Sequence, residues 1–133
     1  MSNLDLVRSI YADWERGDYS STEWADPEIE FALVGGPDPG SWTGVAGMVE
    51  GWGAFQSAWE RGFYGEAIEF RELDEEDVLV IVKFVGRAKG SGMDLSQVPT
   101  QQANVFQIRD GKVTRLALYW DGDRALADLG LGE

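Results

Sequence analysis

From Glu66 to Trp120 the chain reads almost wholly as strand, and this constrains the fold more than any other feature. Glu66 to Leu73 alternates apolar and polar residues, Asp74-Glu75-Glu76-Asp77 makes an acidic turn, and Val78 to Ala88 is a long β-branched run. Gly90-Ser91-Gly92 opens a loop before two more strands, Thr100 to Arg109 and Lys112 to Trp120. Asp110-Gly111 joins that last pair, and these residue types accept the positive φ that a two-residue hairpin needs.

The first half carries a different period. Leu6, Val7, Ile10, Tyr11 and Trp14 recur three and four apart, which predicts a helix over 3–16 with Asn3 as its cap and Gly17 as its stop. Glu28 to Val34 alternates as a strand, with Ile29, Phe31 and Leu33 on one side and Glu30, Ala32 and Val34 on the other. Gly35-Gly36-Pro37-Asp38-Pro39-Gly40 is a connector. A second helix runs from about Val45 to Arg61, with Val45, Met48, Val49, Trp52, Phe55 and Trp59 on one stripe. Its Gly47, Gly51 and Gly53 fit either a close approach to another backbone or a poor helix held by packing. Asp121 caps a last helix through Leu129. Helix, strand, helix, four strands and a closing helix give an α+β fold with an antiparallel, strongly curved sheet. The 133 residues suffice for one domain, spanning 1–133.

Composition removes most chemistry. There is no Cys and no His, which excludes disulfides, thiolate nucleophiles, His-containing triads and the usual transition-metal ligands. Catalysis is left to carboxylates, amides, Tyr, Lys or Arg, and no metal or other cofactor is expected. Against 24 acids stand 11 bases, a net charge of −13 that disfavours nucleic acid and anionic membrane surfaces as partners. No apolar run approaches a membrane span, and MSNLDLVRSIY lacks the apolar character of a signal peptide, so a cytoplasmic protein is expected.

The order of these elements resembles the SnoaL-like, nuclear-transport-factor-like superfamily. The resemblance runs from Leu6 to Leu129 and rests on Trp14-Glu15-Arg16-Gly17-Asp18, Asp26-Pro27-Glu28-Ile29-Glu30-Phe31, Trp42-Thr43-Gly44, Arg109-Asp110-Gly111-Lys112-Val113 and Tyr119-Trp120-Asp121. It implies a cystatin-like α+β roll, a curved sheet wrapped around helices to form a cone with an internal pocket. Activities in the superfamily are diverse, so function has to be read from the site.

Matched residue by residue, the familiar catalytic sets are missing. The base of the steroid isomerases falls on Ala32 or, counted back from Gly44, on Gly35. Their helix-1 Tyr falls on Ile10, which turns Tyr11 about 100° from the required direction. Their protonated Asp becomes Asn104, an amide that donates a hydrogen bond without any pKa shift, and Trp120 matches a pocket Trp. The Asp-Arg-Asp set of the limonene epoxide hydrolases would fall on Val82, Phe84 and Leu118.

With Asn104 facing inward, strand alternation also turns Gln102, Phe106, Ile108, Leu116, Leu118, Trp120, Val80, Val82 and Phe84 inward, while Lys83 and Arg87 point out. Tyr11, Trp14, Trp52, Phe55 and Trp59 add aromatic walls from the helices. This describes a chamber for a flat, hydrophobic small molecule held by one carbonyl or hydroxyl; core packing accounts for the same aromatics. Asn104 and Gln102 would polarise a carbonyl, and Glu30 or Asp38 would serve as the base for isomerisation or proton transfer. The competing expectation is a non-catalytic binding or interaction module. In that reading the outward Ala103, Val105, Ala117 and Tyr119 make the open face of the sheet a homodimer surface.

Overall fold

The computed structural model describes residues 2–16, 18, 22–35, 40–57, 64–87 and 101–130, with the backbone alone at 55, 56, 64 and 65. The elements are α1 (Asn3–Glu15), β1 (Ala25–Val34), β2 (Gly40–Thr43), α2 (Gly44–Gln56), β3 (Tyr64–Glu72), β4 (Asp77–Val85), β5 (Gln102–Arg109), β6 (Lys112–Tyr119) and α3 (Gly122–Asp128). The strands form one six-stranded sheet in the order β2-β1-β6-β5-β4-β3, open at both edges. This is the α+β architecture expected, with two differences. The short edge strand β2 has no counterpart in the sequence reading, which ends the connector at Gly40 and assigns 41–43 to no element, because only Trp42 and Thr43 carry strand signal there. The sheet is also not antiparallel throughout, since β1 runs parallel to β6, pairing Phe31 with Leu116 and Leu33 with Leu118.

Local chemistry explains the element ends. Ser2, not Asn3, caps α1, its hydroxyl accepting from the Asp5 N–H at 3.1 Å. Asp121 caps α3 as expected, accepting from the Asp123 N–H at 3.0 Å. Between β5 and β6, Asp110 and Gly111 take φ values of 53° and 75°, the mirror-image turn that suits the right-handed twist of a hairpin.

Two of the sheet's register shifts change which side chains face in. On β3 the register shifts between Ala67 and Glu69, so Ile68 is the extra residue; it is left exposed while Ala67 and Phe70 both pack inward. A second shift, at Gln107/Ile108, sets Val113 opposite Ile108 and turns it into the core, where strict alternation from Leu116 would have put it outside.

The sheet separates two clusters. The inner one holds Val7, Ile10 and Tyr11 of α1, Met48 of α2, and Ile29, Phe31, Leu33, Val78, Val80, Val82, Phe84, Phe106, Leu116 and Leu118 from the strands. Burying a side chain such as Phe31 or Phe106 fully contributes about 1.5–3 kcal/mol. The outer cluster joins Leu79, Ala103, Val105, Ala117 and Tyr119 to Ala125 of α3. The face expected to lie open for a dimer is therefore covered within one chain at Ala103, Val105, Ala117 and Tyr119, all buried. Docking of α3 is tight, with the Gly122 N–H on the Gln101 carbonyl at 2.8 Å and the Tyr119 hydroxyl on Asp128 at 3.1 Å. No helix among the described residues is long and apolar enough to cross a membrane.

Candidate functional site

The strand register arranges the inner face in rows. Val80, Asn104, Leu118 and Leu33 stand side by side across β4, β5, β6 and β1. The next row is Val78, Phe106, Leu116 and Phe31. Of these two rows the first alone carries a polar side chain, and Asn104 is 2% exposed.

Asn104 meets Tyr11. Its amide nitrogen donates to the Tyr11 phenolic oxygen, linking β5 to α1. Tyr11 therefore faces the sheet, as expected of an aromatic wall residue, although the count back from Gly17 sets it aside from the isomerase Tyr direction. On a 3.6-residue helix Val7, Tyr11 and Trp14 share one face, and that face lies on the sheet with both Ile10 and Tyr11 at 2% exposure. Burial holds the Tyr11 phenol above its usual range, the Asn104 N–H opposes that, and the negative charge of Glu15 adds to it. The phenol is thus a neutral donor. The remaining oxygen of the pair, Asn104 Oδ1, is buried with no hydrogen-bond partner.

Aromatic rings surround this pair. Tyr11 makes edge contacts with Trp14, Phe70 and Phe106 at centroid separations of 5.0, 5.6 and 6.0 Å. Trp14 stacks on Trp52 of α2 at 5.4 Å and meets Trp24 edge-on at 6.0 Å. The Phe84 and Trp120 ring centroids lie 6.1 Å apart. Phe70 and Trp24 were not anticipated as wall residues. The bulge at Ile68 conceals the facing of Phe70, and Trp24 precedes the strand whose alternation would have placed it.

The other expected residues divide. Leu118, Phe84 and Trp120 join the inner cluster, as do Trp14 and Trp52. Gln102 is buried, but its Oε1 accepts from the Phe84 backbone N–H at 3.2 Å, so this amide extends the β4–β5 ladder. Glu30 does not enter the interior. Its residue parity is that of Ala32 and Val34, which belong to the outer cluster; its side chain is 67% exposed, and its carboxylate lies 3.9 Å from Arg115. Exposed on the outer face beside Arg115, it does not reach a molecule held inside, so it is not an internal base. Asp38 and Trp59 lie outside the described residues, as does the Phe55 side chain.

Near the acidic turn a surface cleft is lined by Asp74, Glu75, Glu76, Asp77, Gln107, Arg109 and Thr114. There the Asp74 carboxylate caps the turn, accepting from the Glu76 and Asp77 N–H groups at 2.8 Å each, which lowers its pKa. Among the described residues no group of three or more acids is placed to hold a metal ion.

No family model matches the chain, and no curated protein matches it. Solved structures do. An NTF2-like protein from Burkholderia thailandensis superposes with a TM-score of 0.74 at 16% identity over 89% of each chain. A candidate SnoaL-like polyketide cyclase from Mesorhizobium loti gives 0.69 at 15% identity over 90% of this chain and 100% of its own. The fold is SnoaL-like. A third neighbour in shape, TerC, co-crystallised with polyporic acid, gives 0.70 at 21% identity over 96% of each chain. Identities this low fix the fold and leave activity to the residues of the cone.

Proposed function

We propose that this SnoaL-like protein binds a hydrophobic, ring-bearing carbonyl compound inside the cone and polarises its carbonyl oxygen with the Tyr11–Asn104 pair. The observation that carries the reading is the Asn104-to-Tyr11 hydrogen bond, set among the apolar and aromatic side chains of the inner cluster. A phenol whose oxygen already accepts from an amide is a stronger donor, and the surrounding rings exclude the water that would compete. A ligand carbonyl accepting from the Tyr11 O–H would gain stabilisation as negative charge develops on it. That is the demand of proton transfer at the adjacent carbon: a base removes the C–H proton, the electron pair moves onto the carbonyl oxygen, and the enolate is reprotonated. Asp38 is the carboxylate proposed as the base. The presence of a small molecule in TerC supports the use of this fold as a ligand chamber.

The second reading is a binder without catalysis. It is favoured by Glu30, which faces Arg115 on the outside and leaves no described carboxylate within the cone. Quenching of Trp fluorescence by aromatic, terpenoid and steroid-like ketones tests binding, and solvent deuterium incorporation beside the carbonyl tests proton transfer. Binding with exchange that is abolished by Asp38→Asn supports the enzyme. Saturable binding without exchange selects the binder. No binding across varied ketones overturns both.

A further inference from the structure

Asn104 Oδ1 is buried and without a partner, beside a Tyr11 hydroxyl whose oxygen is engaged and whose proton is not needed by Asn104. An orphaned acceptor in an apolar interior costs free energy that a bound donor would recover. The pair thus offers a donor, the Tyr11 O–H, beside an unsatisfied acceptor, the Asn104 oxygen; the second amide N–H is a further donor. Exchanging the two ends of the amide still leaves both a donor and an acceptor: Tyr11 would then donate to Asn104, the Tyr11 oxygen would accept, and the amide N–H groups would donate.

Building on the carbonyl-pocket reading above, we infer that the ligand is a neutral compound with a hydroxyl on the carbon next to its carbonyl. The carbonyl takes the donor and the hydroxyl supplies the acceptor's missing hydrogen. A plain ketone satisfies only half of the pair. A carboxylate would set negative charge against the acceptor, and no described Lys or Arg is buried to balance it. The chain's net charge of −13 acts in the same direction.

Matched probes separate the alternatives by calorimetric titration: benzoin against deoxybenzoin and benzoin methyl ether, and 2-hydroxy-1-indanone against 1-indanone. The hydroxy ketone of each set is expected to bind about tenfold or more tightly than its partners, the worth of one buried hydrogen bond. In Asn104→Leu that ratio collapses towards one; the methyl ether makes the same comparison on the unaltered protein, so a misfolded variant does not decide the matter. Equal binding of hydroxy and plain ketones overturns the inference and leaves the carbonyl pocket standing, with a buried water satisfying the amide. Binding of neither set overturns the pocket and the inference together.

Discussion

The Asn104 amide of β5 donates to the Tyr11 phenolic oxygen of α1 across 93 positions of sequence, and both side chains are buried. Removing either partner strands the other. Tyr11→Phe and Asn104→Leu are each expected to destabilise by about 1–3 kcal/mol. The double variant removes both polar groups and should cost less than the sum of the two by about 0.5–3 kcal/mol. Denaturant unfolding of all four proteins measures the coupling, and strict additivity would show that the bond contributes nothing.

The same burial makes a pH prediction. The Tyr11 phenol has a folded-state pKa above its ordinary value of 10, chiefly through desolvation. A raised pKa on an acid means that folding favours the protonated form. Its stabilisation is complete below the unfolded value of 10 and is lost as the pH rises through the folded one. The Tyr119 pKa is also raised, by burial and by Asp128, but Tyr11 is the more deeply buried and should release its proton only with alkaline unfolding, visible as a late tyrosinate step near 295 nm. Tyr11→Phe should remove that step. An early, fully reversible titration of every tyrosine would contradict the buried site.

Much of this was legible because side-chain period survives folding. The Asp110-Gly111 turn, the inward parity of Asn104, Leu118 and Phe84, and the Asp121 cap all follow from local chemistry that tertiary contacts did not override. Tyr11 was set aside from the isomerase Tyr direction because counting back from Gly17 treats one residue as facing the sheet, whereas α1 buries an arc wide enough for Ile10 and Tyr11 together. Glu30 was placed on the right strand side, with Ala32, but that side is the outer one, which only the assembled sheet and α3 define. Bulges hid Val113 and Phe70, since an extra residue in a strand leaves no mark in an alternating pattern.

The helix glycines of α2 separate by what they touch. A Cβ on Gly51 would lie 2.6 Å from the Trp42 indole and 3.0 Å from Phe31, so a ring, not a backbone, makes the close approach. Gly53 has nothing within 4 Å. Ala at Gly53 should therefore stabilise by about 0.5–1 kcal/mol through helix propensity. Ala at Gly51 gains the same propensity but collides with the rigid indole, at a cost of about 1–3 kcal/mol or more. Thermal melts should move in opposite directions for the two variants; a stabilised Gly51→Ala would mean that Trp42 does not pack under α2.

Glu30 provides the counter-test of the site. Its carboxylate is exposed and 3.9 Å from Arg115, an arrangement that screening in water reduces to a small effect. Glu30→Gln should change stability by no more than about 0.5 kcal/mol and leave ketone binding and any deuterium exchange at the wild-type level. Arg115→Gln should behave alike in the ligand titration, because its guanidinium meets Glu30 on the outer face. The comparison is direct, since Tyr11→Phe should weaken the same ligands by about tenfold while both outer-face variants leave them unchanged. Loss of binding in Glu30→Gln would mean that β1 presents its other face to the ligand, which would reverse the assignment of inside and outside for the whole strand.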